Sequence, residues 1–200
     1  MMFQQIKSNI DISDTEFDSI YPDRIKASAE MHFTPFDVAK IAARYLAHKT
    51  GTRILDIGAG AGKFCMIGSA CTEGYFTGVE LRETLCSAAT RISKQYSLEN
   101  TDFINANITD ISFKDFDAFY FYNAFYENVS RMGIGRINNE LDLSRELYDT
   151  YSFYVKNQLD SMPVGTKLVT YFSFSKEIPD SYHLQFTDFD GKLKMWEKVS

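Results

Sequence analysis

The sequence has little with which to build a disulfide framework or a metal centre. Its three cysteines, Cys65, Cys71 and Cys86, are odd in number and lack C-x-x-C spacing, which excludes a paired framework and leaves reduced, mostly buried thiols as the expectation. The histidines, His32, His48 and His183, are scattered and form no ligand cluster, so a metal centre is not expected. No apolar run approaches the ~20 residues that cross a bilayer. The opening residues, Met1-Met2-Phe3-Gln4-Gln5-Ile6-Lys7, lack the apolar stretch of a secretory signal, so no membrane association and a cytoplasmic location are expected. Basic residues are also in deficit, 21 against 27 acidic, for a formal charge of −6. That balance disfavours broad attraction to nucleic acid, which needs a positive footprint; Arg131, Arg136 and Arg145, the best candidates for a local patch, are read as solvated surface. There is no internal repeat and no low-complexity segment. What remains is a chain of 200 residues, 44% hydrophobic, enough for one sizeable core with no room for a separate target-recognition domain.

The densest chemical signal is Arg53-Ile54-Leu55-Asp56-Ile57-Gly58-Ala59-Gly60-Ala61-Gly62-Lys63-Phe64. A short apolar run suited to a buried parallel strand passes through three alternating glycines into residues that can open a helix. Glycine removes the Cβ where backbone must turn sharply or touch a ligand, and a helix start presents free N–H groups. The spacing is G-x-G-x-G, not the dinucleotide G-x-G-x-x-G, and Asp56 precedes the first glycine by two. A carboxylate there would repel a pyrophosphate and suits a ligand carrying an ammonium or sulfonium group. The next strand, Tyr75-Phe76-Thr77-Gly78-Val79-Glu80, ends in an acid 22 positions after Gly58, close to the ~20 at which an acid takes ribose hydroxyls.

Asp56-Ile57-Gly58-Ala59-Gly60-Ala61-Gly62 with Glu80 resembles the first two motifs of class I S-adenosylmethionine (SAM)-dependent methyltransferases, and the resemblance covers most of the chain from about Thr34 onward. It implies an α/β fold, a doubly wound, mostly parallel seven-stranded sheet ending in an antiparallel hairpin, preceded by an N-terminal helical extension. Two segments follow: an arm and helical cover at 1–33 and a methyltransferase domain at 34–200. SAM is the implied cofactor. It would be held by Asp56, Gly58, Gly60, Gly62 and Glu80.

Residues 1 to 13 show little periodicity and read as a weakly structured arm; short helices are expected between Asp14 and Glu30. Thr34 is a natural N-cap, with Pro35 at the first helical position, for a helix running to about His48. The Thr34-Pro35 junction is also similar to the Thr-Pro segment of amino-methyltransferases, which places Thr34 near the methionyl end of the cofactor. Helices are expected over Gly62–Ala70 and Arg82–Tyr96, and a third strand begins at Thr101. An acid commonly takes the adenine amino group at the position of Asn107 in this family; Asn can accept that bond through its carbonyl oxygen, and Ile108 would lie on the adenine face. Glu127 to Leu143 reads as a lid or substrate loop. Ser144 should cap a helix reaching about Met162, with strands following at Lys167–Phe172, Tyr182–Phe186 and Lys192–Lys198, the last two around an Asp190-Gly191 turn.

The fourth strand, Phe116 to Tyr122, runs into Asn123-Ala124-Phe125-Tyr126. In doubly wound sheets ligands bind beyond the carboxyl ends of the strands, which puts Asn123 beside both cofactor and acceptor. The tetrad resembles the Asn-Pro-Pro-Tyr motif of enzymes that methylate planar nitrogens, with Ala124 and Phe125 in place of the prolines. The resemblance implies that Asn123, Phe125 and Tyr126 carry the acceptor chemistry: a carbonyl oxygen holding an N–H group and aromatic rings stacking on a flat group. The reading is a SAM-dependent methyltransferase acting on a small molecule, a protein side chain or an exposed RNA base, with duplex DNA disfavoured. Its rival is a SAM-binding sensor or interaction module without turnover.

Overall fold

The computed structural model describes residues 2–27, 32–130 and 140–200. Among them the helices are α1 (Met2–Lys7), α2 (Asp14–Asp18), α3 (Asp23–Lys26), α4 (Phe36–Leu46), α5 (Lys63–Cys71), α6 (Glu83–Gln95) and α7 (Arg145–Asp160). The strands are β1 (Arg53–Ile57), β2 (Tyr75–Glu80), β3 (Thr101–Asn105), β4 (Ala118–Tyr122), β5 (Lys167–Tyr171), β6 (Tyr182–Asp188) and β7 (Leu193–Lys198). They form one sheet in the order β3-β2-β1-β4-β5-β7-β6. The first five run parallel, and β7 inserts antiparallel between β5 and β6. The chain order reverses between β1 and β4, which is where a doubly wound sheet opens a crevice.

Burial follows sheet position. The central strands are apolar runs, with Ile54, Leu55 and Ile57 of β1 and Ala118 to Phe121 of β4 almost wholly buried, as a parallel strand covered on both faces requires. β6 at the edge is exposed along most of its length. One face of the sheet carries α1, α2, α4, α5 and α6 over a core that includes Phe17, Phe36, Phe64 and Tyr120. The other carries α7 over a smaller core built from Phe113, Phe119, Phe121 and Leu159.

Residues 2 to 13 of the expected arm are not weakly structured, although their lack of periodicity suggests it. α1 buries Phe3 and Ile6, and the Phe3 ring lies 4.9 Å from Tyr96 and 5.8 Å from Phe17. The cause is α5, which is apolar nearly all round and buried from Lys63 to Ala70. A helix of that kind needs covering on its outer side. A six-residue helix is unstable alone and exists by tertiary packing, so local pattern could not reveal it.

Thr34 is likewise not the N-cap of α4. The N-terminal N–H of Phe36 donates to Asp14 Oδ1 at 2.8 Å, so the cap comes from α2, and the Thr34 hydroxyl shares a 3.0 Å hydrogen bond with the Tyr120 hydroxyl. Asp14 and Asp18 also take the ammonium of Lys63 at 2.5 and 2.7 Å. The Lys63 side chain is 4% exposed, and such a charge is tolerated inside only when paired. The N-terminal segment is thereby fixed to the start of α5, beside the glycine turn.

The remaining expectations differ by a few residues. β4 begins at Ala118, because Phe113–Asp115 is a 3-10 turn. Ser144 does cap α7, its hydroxyl accepting from the Leu147 N–H at 3.2 Å. Arg131 and Arg136 lie outside the described residues, and so does the middle of the 127–143 loop. Arg145 is exposed and pairs with Asp149 one turn on.

Candidate functional site

The glycine turn is hung from the neighbouring strand. The N–H groups of Gly58 and Ala59 both donate to the Val79 carbonyl, at 3.0 and 2.9 Å, and Gly58, Gly60 and Gly62 all sit at positive φ, 76°, 55° and 80°. Only glycine takes up such angles readily. The three are not equivalent. A Cβ on Gly58 would lie 2.4 Å from the Ala124 Cβ, so this glycine lets β1 approach the end of β4. A Cβ on Gly62 would meet Phe103 at 2.5 Å and Ala89 at 2.9 Å, so Gly62 serves helix packing and faces away from the site. A Cβ on Gly60 would meet nothing within 4 Å; it faces open space.

That space is a cavity of about 400 Å³ bordered by Gly58, Gly60, Glu80, Asn107, Ile108 and Asn123, with Phe125 and Tyr126 also on its wall. Its size falls in the range of small-molecule sites. The Glu80 carboxylate closes one end, its Oε2 accepting from the Gly60 N–H at 3.0 Å and its Oε1 from the Arg82 N–H at 2.8 Å. A carboxylate offers about four acceptor positions, so each oxygen retains one. Burial raises the Glu80 pKa, and the Arg82 backbone bond opposes the rise.

Asp56 and Thr34 do not line this cavity. They border an adjoining recess of about 30 Å³ with Gly58, Gly60, Lys63 and Tyr120. Asp56 is 3% exposed, and its carboxylate accepts from the Cys65 thiol at 3.5 Å. Burial lifts its pKa to about 7, which the Cys65 contact opposes and Glu80 reinforces. Asn107 borders the large cavity, but its amide is engaged: Oδ1 accepts from the Thr109 N–H at 3.1 Å and Nδ2 donates to the Tyr151 hydroxyl at 3.3 Å. Ile108 is buried beside it.

At the end of β4, Asn123 sits at φ 44°, and its carbonyl accepts from the Tyr126 N–H at 3.1 Å in a tight turn. Its side-chain Oδ1 is buried with no hydrogen-bond partner among the described residues. Phe125, expected to offer its ring to an acceptor, is 7% exposed and packs between Phe121 and Tyr151, both at 5.4 Å. Tyr126 is the open ring, at 41% exposure.

Several wall residues were missed by sequence reasoning. Arg82 and Glu127 form a 2.8 Å ion pair there, His32 lies nearby with its pKa lowered by burial, and Phe172 borders the mouth. Arg82, two positions after Glu80, and Glu127, at the start of the substrate loop, had a positional clue; His32 and Phe172 had none.

Residues 54–141 match the family model described as a methyltransferase domain. Among solved structures, TrmN from Thermus thermophilus superposes with a TM-score of 0.59 at 16% identity, covering 88% of this chain and 52% of its own. The fold is that of the Rossmann-like methyltransferases. An RNA methyltransferase from Salinibacter ruber gives 0.56 at 16% identity, with 84% of this chain and 94% of that one covered. A SAM-dependent methyltransferase from Aquifex aeolicus gives 0.54 at 12% identity, with 95% and 100% covered. This chain therefore spans about half the length of TrmN. None of the curated proteins matches its sequence.

The methyl donor of a methyltransferase domain of this fold is SAM, and the residues present fit it. Gly60 presents bare backbone at positive φ to the open cavity, Glu80 keeps acceptor capacity for a diol, and Ile108 gives the apolar wall a purine needs. Asp56, in the recess beyond, is the acidic side chain among the described residues that border it, suited to the ammonium group that SAM carries.

Proposed function

We propose that this chain transfers the methyl group of SAM to a planar nitrogen, and that Asn123 holds that nitrogen. The observation that carries the reading is Asn123, a residue of the cavity wall that Gly60 and Glu80 share, whose side-chain Oδ1 is buried just behind that wall with no hydrogen-bond partner among the described residues. A lone acceptor of this kind costs about 1–3 kcal/mol, a cost recovered when an N–H group arrives.

When bound, SAM supplies a methyl group on a positively charged sulfur, which needs an aligned nucleophile and little covalent help. The chain's part is alignment. Glu80 and the Gly58–Gly60 backbone hold the adenosine end. Asn123 Oδ1 accepts from the acceptor N–H, which fixes the rotation of the amino group and turns its lone pair toward the donor. Tyr126, as the open ring of the tetrad, supplies the flat contact that Phe125, packed in the core, does not.

The test has two stages. Calorimetry with S-adenosylhomocysteine should show binding that Glu80→Ala weakens by about 1.5–3 kcal/mol, the worth of hydrogen bonds to a charged group. Single-turnover transfer at saturating SAM should then fall by 10²-fold or more in Asn123→Ala, in line with the loss of a preorganised polar contact to a reacting group, while S-adenosylhomocysteine affinity stays unchanged. Full-rate transfer by that variant, or a methylated oxygen or sulfur in the product, would refute the assignment.

A further inference from the structure

Large apolar residues scattered singly over a surface are ordinary, but those at the mouth of this cavity are clustered. Tyr126, Phe172 and Phe174 are 41%, 46% and 46% exposed. Tyr126 and Phe172 border the cavity itself, and the Phe174 ring lies 6.5 Å from Tyr126. Tyr122, also on the wall, is 6.2 Å from Phe172.

These rings are held in place. The Phe172 N–H donates to the Lys192 carbonyl at 3.1 Å, and the Phe174 N–H donates to Glu177 Oε2 at 2.9 Å. Glu177 is 3% exposed and takes the Tyr148 hydroxyl on its other oxygen at 2.7 Å. A buried carboxylate thus fixes the loop that presents Phe174. Phe172 sits at φ 54°, a conformation that a bulky side chain avoids unless the surroundings impose it. Strain and buried bonds here keep apolar rings in water.

Each phenylalanine also carries a cation. The Lys192 ammonium lies 5.5 Å from the centre of the Phe172 ring, and the Lys176 ammonium 5.6 Å from that of Phe174. Neither lysine forms an ion pair with a described residue. In a chain of formal charge −6, two ammonium groups without an ion-pair partner among the described residues stand beside two fixed, exposed rings, although Lys176 also acts electrostatically on the buried Glu177 carboxylate. A ligand that complements them offers flat apolar faces and negative charge in alternation. An unpaired nucleic-acid strand does so, with bases for the rings and phosphates for the ammonium groups. Unpaired, splayed bases are the ordinary presentation of RNA loops, whereas a duplex hides its faces.

We propose that this rim is a platform for single-stranded RNA, whose neighbouring bases stack on Phe172 and Phe174 with phosphates at Lys176 and Lys192, so that the base entering the cavity belongs to an unpaired stretch. The proposal names the substrate class for the site described above and rests on that reading of Asn123.

The test is fluorescence anisotropy with a labelled twelve-residue oligoadenylate, in the presence of S-adenosylhomocysteine. The ribo strand should bind, its duplex with oligouridylate should bind at least tenfold more weakly, and adenosine monophosphate should compete weakly. Phe172→Ala and Phe174→Ala should each lower affinity about tenfold, the scale of losing one stacked base. Lys176→Ala combined with Lys192→Ala should flatten the dependence of log affinity on log salt by about 1.4, two phosphates at ~0.7 each. Should Phe172→Ala fail to fold, the exposed Phe174 and the lysine pair still decide the matter. Equal binding of strand and duplex, competition by the mononucleotide at the strand's own concentration, tighter binding of the deoxy strand, or no loss in the Phe174 and lysine variants would each overturn the proposal. Oligonucleotide binding absent while S-adenosylhomocysteine binds would overturn it alone. Failure of S-adenosylhomocysteine to bind would instead overturn the methyl-transfer reading beneath it.

Discussion

The two strand ends that meet at the cavity solve the same geometric problem in opposite ways. At the β1–β2 end, backbone at positive φ is carried by Gly58 and Gly60, and the absence of side chains lets the main chain reach a ligand. At the β4–β5 end, it is carried by Asn123 at 44° and Phe172 at 54°, and the strained backbone aims a side chain instead. The two ends are joined, since Gly58 abuts Ala124 and the Ser173 hydroxyl bridges from the Phe121 carbonyl to the Asn123 N–H at 3.3 and 3.4 Å. One end approaches its ligand by omission. The other does so by placement. Substitutions should therefore fail differently at each end.

The largest effect is expected where omission is absolute. Gly58→Val would press a β-branched side chain onto the Ala124 Cβ, 2.4 Å from the new atom, at φ 76°. Ala124 has no flexible end to swing aside, so a loss of several kcal/mol is expected from overpacking and backbone strain together, and the variant should be unfolded or lowered by ten degrees or more in Tm. Gly60→Val meets no atom within 4 Å. It should cost about 1–2 kcal/mol in strain, lower Tm by about 2–4 °C for each of them, and abolish S-adenosylhomocysteine binding in calorimetry. Retained binding in folded Gly60→Val would make the turn a structural corner and dissolve the comparison.

This asymmetry also governs what could be read from sequence. Alternating glycines followed at a set distance by a strand-terminal acid are a specific order of residues, so Gly58, Gly60 and Glu80 announce themselves, and short continuous apolar runs announce the central strands. The doubly wound, mostly parallel sheet with its closing antiparallel pair followed from the resemblance that those residues carry, and the cap at Ser144 from local pattern; the order of the strands was not legible. Gly62 shared the pattern but serves Phe103 and Ala89, because spacing says that a Cβ is excluded and not by what. The platform of Phe172 and Phe174 was illegible: phenylalanine after a strand reads as core, and only the backbone angle and the distant bond to Glu177 turn it outward. The cap on α4 was misread for a similar reason, since Asp14 reaches Phe36 across 22 positions. Local rules do not see such partners.

A second, intermediate effect tests charge at the omission end. Asp56 is ordinarily deprotonated near pH 4, and burial raises its pKa to about 7. The folded chain then holds that proton more tightly than the unfolded chain. The stabilisation is complete below about pH 4 and is lost as pH rises through about 7, because ionising the buried group works against the fold. Asp56→Asn removes the ionisation. Its stability advantage over the native chain should grow from pH 5 to about pH 7 and level off above it, reaching on the order of a few kcal/mol and read as a widening Tm difference. S-adenosylhomocysteine, which brings an ammonium group, should shrink that advantage at pH 8. A Tm difference independent of pH would show that Asp56 is not the group being ionised.

The smallest effect in stability, and the sharpest contrast in sign, is expected at Asn123. Replacing it with glycine removes two native-state costs, the positive φ at 44° and the buried acceptor without a partner. Against these stands the greater backbone freedom of glycine in the unfolded chain, worth about 0.5–1 kcal/mol. The acceptor alone contributes about 1–3 kcal/mol, so Asn123→Gly should be the more stable protein by about 1 kcal/mol, a rise of about 2–4 °C in Tm. At the glycine end no substitution relieves anything, because nothing there is strained by a side chain. The same variant should lose methyl transfer by 10²-fold or more, the scale on which a preorganised hydrogen-bonding group contributes to rate, while its affinity for S-adenosylhomocysteine remains that of the native chain. A gain in stability with a loss of rate is the signature of a residue held in an unfavourable state for its function. Scanning calorimetry reads the first quantity and single-turnover transfer the second. If Asn123→Gly is less stable than the native chain, the side-chain oxygen has a partner in the folded protein, and the β4–β5 end then presents no vacant acceptor to a substrate.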